Sequence, residues 1–126
     1  MSGSFHLFVY GTLKRGGPAS ALLADSVLLS RATVAGTLYW TEKGYPALML
    51  AGGGKVHGEV WRCPSTLLQR LDEHEGVEER LFRRVGVRVR DWPCWAYVAG
   101  PALARQLTPD RRIAAGIWAP EATEAP

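Results

Sequence analysis

The sequence has few cysteines and no long apolar run. Cys63 and Cys94 are its only cysteines, and their spacing matches neither a metal-binding nor a redox motif. We therefore expect two buried thiols, no disulfide framework and no metal site. The longest apolar stretches have the length of a strand, whereas a membrane-spanning helix needs about 18 or more apolar residues. We accordingly expect no membrane segment.

The first residues lack the features of a secretory signal. Residues 1–4 have neither a basic region nor a long apolar stretch, and strand-like sequence follows directly. This pattern predicts a cytoplasmic location. With 126 residues, 47% hydrophobic and 21% charged, the chain has the size and balance of one globular domain. We expect that domain to span residues 1–120 and residues 121–126 to form a flexible tail.

Positive charge is in slight excess, with 15 Lys and Arg against 12 Asp and Glu. A basic surface attracts nucleic acids because their phosphates are negative. In the densest basic group, residues 83–90, most arginines occupy even positions and valines occupy the odd ones. This alternation is typical of a strand with one solvated face, so we expect no nucleic-acid partner.

The chain is predicted to be rich in strands and poor in helices. Hydrophobic alternation and turn residues indicate a first strand over 5–10, one long strand over 27–40 bent at Gly36, a hairpin of strands 46–51 and 56–63, and an antiparallel pair over 81–90 and 93–98. A short helix is predicted over 19–23. These elements favour an α+β fold: a small, mixed, mainly antiparallel β-barrel with one main helix packed against it.

The main helix is predicted over residues 64–75, with Gly76 as its stop. Leu67, Leu71 and Glu75 recur every four residues and therefore share one face. A carboxylate that continues an apolar stripe into the last helical turn has its pKa raised by burial and by the helix dipole. Such a group suits general acid/base catalysis. Periodicity alone favours the alternative, in which the helix frays and Glu75 faces water.

A sharp turn follows the first strand and is formed by Tyr10, Gly11, Thr12 and Leu13. Successive N–H groups in such a turn can converge on an anion, and Gly11 allows a ligand to approach the main chain. The turn is therefore a candidate oxyanion or substrate-carboxylate pocket, with an ordinary glycine turn as the simpler alternative. A nucleotide-binding loop is excluded because Gly17 and Pro18 stand where Lys and Ser or Thr are needed.

Three segments together carry a resemblance: Tyr10-Gly11-Thr12-Leu13-Lys14-Arg15-Gly16, Gly58-Glu59-Val60-Trp61 and Leu71-Asp72-Glu73-His74-Glu75-Gly76-Val77. They resemble the γ-glutamyl cyclotransferase (AIG2-like) superfamily over about residues 5–100. Residues 113–118 are similar to the ending of some members. The form of the first segment is closest to the γ-glutamylamine cyclotransferase-like and antibiotic-tailoring branches.

The resemblance implies a site and a reaction. It implies that the turn binds a glutamyl group through its backbone and that Glu75, the glutamate of the LDxxEG motif, is the acid/base. The implied enzyme converts a γ-glutamyl amide or γ-glutamylamine to 5-oxoproline and a free amine without a cofactor, so its expected partner is this small-molecule substrate. Two residues depart from the family pattern: Ala19 stands where Asn is frequent, and Phe82 where Tyr is common.

Four further residues are candidates for lining the pocket: Tyr45, Pro46, Glu59 and Tyr97. Glu59 could supply a second carboxylate, although a solvent-facing strand position is the simpler interpretation. Aromatic residues on strands are more often part of the core. Two alternatives to the enzyme remain open, namely a non-catalytic binding domain for a small carboxylated ligand and nucleic-acid binding through the basic strand face.

Overall fold

The computed structural model describes residues 3–119, which form an α+β fold. The strands are β1 (Ser4–Val9), β2 (Val27–Ala35), β3 (Thr37–Trp40), β4 (Pro46–Met49), β5 (Lys55–Pro64), β6 (Phe82–Val89) and β7 (Trp92–Ala99). The α-helices are α1 (Leu68–His74) and α2 (Pro101–Ala104), and short 3₁₀ helices cover Ser20–Leu23, Ser65–Leu67 and Pro109–Arg111. The tail predicted over residues 121–126 lies outside the described residues.

The main sheet has five strands in the order β2–β5–β1–β7–β6. Strand β1 runs antiparallel to β5 and parallel to β7, and the other pairs are antiparallel. The expected mixed, mainly antiparallel architecture with one main helix is confirmed, but the sheet does not close into a barrel. Its edge strands are β2 and β6. The guanidinium of Arg90, the residue after β6, donates a hydrogen bond to the carbonyl of Arg31 in β2 at 3.1 Å.

Strands β3 and β4 form a second, two-stranded sheet, which differs from two of the predicted strand arrangements. The long strand predicted over residues 27–40 is split at Gly36, since β2 pairs with β5 whereas β3 pairs with β4. A Cβ at Gly36 would lie 2.7 Å from the Met49 carbonyl oxygen, so only glycine lets the chain pass there. The predicted hairpin of strands 46–51 and 56–63 is wrong because β4 pairs with β3. Local pattern marks a strand but does not name its partner.

The main sheet is buried on both faces. Along β1, Leu7 and Val9 belong to one core, whereas Phe8 and the following Tyr10 belong to the other. This is the alternation that a strand between two layers requires. The first core also contains Leu71 of α1, so the helix covers this face of the sheet. The C-terminal end of β1 therefore lies between the layers, close to the end of α1.

The main helix begins with a 3₁₀ turn and ends at His74, within the predicted span. Leu67 and Leu71 are buried, and Glu75 follows them on the same face. Gly76 has a φ of 65°, a left-handed conformation that ends the helix at little cost because glycine has no Cβ. The predicted periodicity and helix stop are confirmed.

Several smaller features complete the fold. Both cysteines are free and buried, as predicted. The predicted antiparallel pair over residues 81–90 and 93–98 is confirmed as β6 and β7. Across residues 3–119, no helix has both the length and the apolar character that crossing a membrane requires. The same residues contain no group of three or more His, Cys, Asp or Glu side chains that could hold a metal ion.

Candidate active site

A cavity of about 370 Å³ lies between the turn after β1 and the end of α1. Glu75 lines it together with all four residues of the turn predicted to hold a substrate, namely Tyr10, Gly11, Thr12 and Leu13. Tyr45, Pro46 and Tyr97 also line the cavity, whereas Glu59 does not. The fold thus brings together the carboxylate and the turn, which are more than 60 positions apart in the chain. The volume of the cavity is within the ordinary range for a small-molecule site, about 300–1,000 Å³.

Glu75 is partly buried at the C-terminal end of α1. Its main-chain N–H donates to the Leu71 carbonyl at 2.9 Å, which holds the residue on the last helical turn. Burial disfavours the charged form and raises the pKa of Glu75 to about 7. Within residues 3–119 the Glu75 carboxyl has neither a hydrogen-bond donor nor an ion-pair partner. Both protonation states are therefore populated near neutral pH, so the group can accept a proton and return it.

The turn after β1, which lines the cavity, contains main-chain donors without an acceptor in the described part of the chain. The N–H groups of Gly11, Thr12 and Leu13 make no hydrogen bond to any group of residues 3–119. The carbonyls of Gly11 and Thr12, in contrast, accept hydrogen bonds from the N–H groups of Lys14 and Ala19, each at 2.9 Å. Three successive N–H groups without an acceptor can bind a carboxylate or a developing oxyanion.

The backbone at Gly11 approaches the second sheet too closely for a side chain. A Cβ at Gly11 would lie 2.5 Å from Cγ of Pro46, which is the first residue of β4. Glycine at this position therefore lets the turn pack directly against β4. Thr12 is partly buried and Leu13 is buried, so Leu13 contributes its main chain to the site and its side chain to the core.

Glu59 lies on the opposite side of the turn, not in the cavity. One oxygen of its buried carboxylate accepts hydrogen bonds from the Arg15 main-chain N–H at 2.9 Å and from the Trp61 indole N–H at 3.1 Å. Glu59 faces a second, more polar cavity of about 690 Å³, which Lys14 and Arg15 also line. The solvent-facing position considered for Glu59 is wrong. Its carboxylate instead supports the turn by accepting the Arg15 N–H from the side away from the Glu75 cavity.

The tyrosines that line the cavity are held by hydrogen bonds of their hydroxyls or by contacts of their rings with other aromatic rings. The Tyr10 hydroxyl donates to the Tyr97 carbonyl at 2.6 Å and accepts from the Leu48 N–H at 3.2 Å, so this phenol links β1, β4 and β7. Burial and, second, the charge of Glu75 raise the pKa of Tyr10 and of Tyr45. The Tyr45 ring lies 5.9 Å from that of Phe82, centroid to centroid. These side chains form a largely apolar wall around Glu75.

A polar network next to the site was missed by the sequence analysis. The Tyr97 hydroxyl donates to Asp72 at 2.6 Å, and Asp72 also accepts two hydrogen bonds from the Arg84 guanidinium, at 2.9 and 3.3 Å. Arg84 in turn lies 4.3 Å above the Trp95 ring. Asp72 precedes Glu75 by three positions and so faces the same side of α1, which is the one sequence signal that could have indicated this network.

The chain matches a known protein family over most of its length. The family model described as γ-glutamyl cyclotransferase, AIG2-like, matches residues 7–120. The γ-L-glutamyl-butirosin B γ-glutamyl cyclotransferase of Niallia circulans is 38% identical over 92 residues, covering 68% of this chain and 58% of that protein. The γ-glutamylaminecyclotransferase of Rattus norvegicus is 33% identical over 109 residues, covering 76% of this chain and 70% of that protein. The match to the first relative thus spans less than two thirds of that protein's length.

Solved structures show the same fold. An uncharacterised protein from Pyrococcus horikoshii has a TM-score of 0.75 at 24% identity, covering 90% of this chain and 88% of that one. An AIG2-like protein from Mus musculus has a TM-score of 0.70 at 24% identity, covering 86% and 87%. The residues that the family model matches include the turn after β1, Glu59 and Glu75. The chain therefore belongs to the γ-glutamyl cyclotransferase, AIG2-like family.

Proposed function

We propose that the protein converts a γ-glutamyl amide or γ-glutamylamine into 5-oxoproline and a free amine. One observation carries this proposal: Glu75, whose pKa burial raises to about 7, lines the same cavity as three N–H groups that have no acceptor within residues 3–119. The names of two relatives, which describe cyclotransferases acting on γ-glutamyl compounds, support the same chemistry.

The turn holds the glutamyl part of the substrate. The N–H groups of Gly11, Thr12 and Leu13 bind its α-carboxylate, since successive amide donors suit a carboxylate and no competing acceptor within residues 3–119 occupies them. The chain of the substrate then folds back so that its α-nitrogen approaches its own γ-carbonyl carbon. Holding this folded conformer supplies much of the rate enhancement, because nucleophile and electrophile belong to one molecule.

Glu75 moves the proton that the ring closure releases. The carboxylate takes one proton from the substrate α-ammonium, and the resulting amine attacks the γ-carbonyl to form the new C–N bond of a five-membered lactam. Glu75 then donates its proton to the amide nitrogen, and the old C–N bond breaks. The second proton lost by the α-nitrogen leaves with the departing amine, which is released as an ammonium ion. No water or redox partner enters this balance.

The proposal is tested with the Glu75→Gln variant. Purified protein is incubated with a panel of γ-glutamyl amides, and 5-oxoproline is measured by mass spectrometry. We expect the variant to keep its fold, judged by circular dichroism, and to lose about 100-fold or more in kcat because its amide cannot transfer the proton.

The matched control is Glu73→Gln. Glu73 is an exposed carboxylate on the same helix, with only a 3.5 Å hydrogen bond from Gln69. We expect this variant to keep wild-type turnover. Wild-type turnover by Glu75→Gln would contradict the assignment of the acid/base. A wild-type protein that binds γ-glutamyl amides without releasing 5-oxoproline would instead be a binding domain.

A further inference from the structure

Tyr97 is hydrogen-bonded to both parts of the candidate site. It lies on β7, and its buried side chain belongs to the core that α1 covers. Its carbonyl accepts the hydrogen bond of the Tyr10 hydroxyl at 2.6 Å, and Tyr10 is the first residue of the turn. Its own hydroxyl donates to Asp72 of α1, also at 2.6 Å. One residue of the main sheet therefore links the turn to the helix that leads into Glu75.

Asp72 is held by two residues of the sheet. Arg84 and Tyr97 are direct partners across β6 and β7, so their side chains project from the same face of the sheet. The Arg84 guanidinium donates two hydrogen bonds to the Asp72 carboxylate and lies 4.3 Å above the Trp95 ring, which limits the positions it can take. A bidentate pair of this kind is stronger than an ordinary surface ion pair. The carboxylate of Asp72 is thus fixed between a phenol and a guanidinium.

The position of Asp72 determines that of Glu75. The two residues are three positions apart, so they project from the same side of the helix. Main-chain hydrogen bonds join them into one turn, because the Leu71 carbonyl accepts from the Glu75 N–H at 2.9 Å and the Asp72 carbonyl accepts from the Val77 N–H at 3.1 Å. With seven residues, α1 is too short to be stable alone, so its tertiary contacts set its orientation.

We propose, on the basis of the function proposed above, that the hydrogen bond from Tyr97 to Asp72 sets the distance between Glu75 and the turn after β1. Tyr97 and Asp72 are then positioning residues, which act on the reaction through Glu75. Leu71 also packs α1 onto the sheet, but apolar packing has no direction, whereas a hydrogen bond fixes the separation of two atoms. A displaced Glu75 would no longer meet both nitrogens of a substrate that the turn holds.

The first test removes the Tyr97 hydroxyl and leaves the charges in place. Burial and, second, the hydrogen bond to Asp72 raise the pKa of Tyr97, so the phenol is neutral in the assay and Tyr97→Phe changes no charge near Glu75. We expect kcat for 5-oxoproline release to fall about tenfold and KM to change less than about twofold, since the turn still binds the substrate. Tyr39→Phe is the matched control, because Tyr39 is a partly buried tyrosine of β3 that does not line the cavity. It should keep wild-type kcat.

The titration of Glu75 gives a readout that requires no turnover, and carboxyl ¹³C NMR measures it. The groups to consider besides Glu75 are Tyr10, Tyr45, Tyr97 and His74, which line the cavity, the Asp72–Arg84 pair, and the exposed charged residues 73, 78–80 and 83. All of the charged ones are retained in Tyr97→Phe. We expect the pKa of Glu75 to fall from about 7 by about half a unit or more, because a helix end released from the sheet admits water to the carboxyl. Tyr39→Phe should leave this pKa unchanged.

Two variants of Asp72 test the other partner. Asp72→Asn retains a carbonyl oxygen that can accept from the Tyr97 hydroxyl, whereas Asp72→Ala does not, and both remove the same charge. We expect Asp72→Asn to keep a severalfold higher kcat than Asp72→Ala, and this difference to disappear when Tyr97 is also replaced by Phe. Circular dichroism checks that each variant is folded. Equal kcat values for the two Asp72 variants would show that the hydrogen bond has no role in positioning.

The outcomes separate this proposal from the proposed function. If the wild-type protein releases no 5-oxoproline from any γ-glutamyl amide, the proposed function is wrong, and the Glu75 titration alone decides whether Tyr97 positions this residue. If 5-oxoproline is released, the function stands. A wild-type kcat or a wild-type Glu75 titration in Tyr97→Phe then overturns the positioning role.

Discussion

The role proposed for Glu75 depends on the burial of its carboxyl group. Leu67 and Leu71 are buried on the helical face that Glu75 shares, and Glu75 lines a cavity together with several aromatic residues. Removing the hydration of an ion costs free energy. For Glu75 this cost raises the pKa, because no cation within residues 3–119 pairs with the carboxylate and offsets it. A solvated glutamate would be almost fully ionised at neutral pH and a poor proton donor.

The pH dependence of the rate reports this environment. In the proposed mechanism the free enzyme carries Glu75 as a carboxylate that accepts the first proton, so kcat/KM should fall about tenfold for each pH unit below about 7 and level off above it. The measurement is a pH profile of 5-oxoproline release, with circular dichroism to confirm the fold at each pH. An inflection near the ordinary value of 4.5 would show that water reaches the carboxyl.

The same burial affects stability. The pKa of Glu75 in the folded protein is about 7, above the reference value of 4.5, so the folded state binds its proton more tightly than the unfolded state does. Its contribution to stability is therefore fully present below about pH 4.5 and is lost as the pH rises through about 7. Between about pH 5 and about pH 8, Glu75→Gln should gain about 2 kcal/mol of unfolding free energy relative to wild type. Urea denaturation at both pH values measures this difference, and a constant difference would contradict the buried carboxyl.

At the scale of the element, the turn after β1 is shaped by the strands on either side of it. Pro46 of β4 packs against Gly11 on one side, and Glu59 of β5 accepts the Arg15 N–H on the other. The turn therefore keeps its N–H groups in place without a ligand. Such preorganisation matters because donors that must be ordered upon binding lose part of their interaction free energy to that ordering.

We therefore propose that Glu59 is a positioning residue. Glu59→Ala should raise KM about tenfold with a smaller change in kcat, since the turn loses one brace while Glu75 is unaffected. Hydrogen exchange should become faster at the Arg15 amide. Glu59→Gln retains a carbonyl oxygen and should restore most of the protection. Trp61→Phe removes only the indole donor and should leave the Arg15 amide protected. Unchanged exchange at Arg15 in Glu59→Ala would show that the hydrogen bond does not hold the turn.

At the scale of the whole molecule, the C-terminal segment joins the two sheets. Trp118 is buried in the core that contains Phe8, and its indole N–H donates to the Gly44 carbonyl at 3.2 Å. Its carbonyl accepts from the Lys14 ammonium. A Cβ at Gly116 would clash with the Lys55 carbonyl oxygen, so the backbone at Gly116 contacts the backbone at the start of β5 directly. This segment therefore connects the second sheet, β5 and the turn.

Removing this anchor should weaken the entire fold. We expect Trp118→Ala to lower the free energy of unfolding by about 3–5 kcal/mol, because it leaves a cavity in the second core. Ile117→Ala is the control, since Ile117 is 49% exposed and its loss should change stability by no more than about 0.5 kcal/mol. Chemical denaturation of both variants gives the values. Similar stabilities for the two variants would mean that the C-terminal segment does not support the core.

The sequence indicated the local elements because their signals are local. Leu67, Leu71 and Glu75 share a helical face because of the 3.6-residue period of the helix. The turn after β1 is marked by Gly11, which allows a backbone path that a residue with a side chain does not. The turn and the end of the helix, which carry the family resemblance, could therefore be recognised from the sequence alone. Periodicity alone, however, favoured a solvated Glu75, because it cannot show what covers the end of a helix.

The tertiary structure decided the strand partners, the contacts that support the turn and the burial of Glu75. β4 pairs with β3 because Gly36 redirects the chain, and Glu59 supports the turn because β5 lies beside β1. Burial raises the pKa of Glu75, and the residues that line the cavity with it, such as Tyr45, Pro46 and Phe82, come from other segments of the chain. Hydrophobic and propensity patterns act between near neighbours in sequence, whereas desolvation depends on every atom within a few ångströms, whichever part of the chain supplies it.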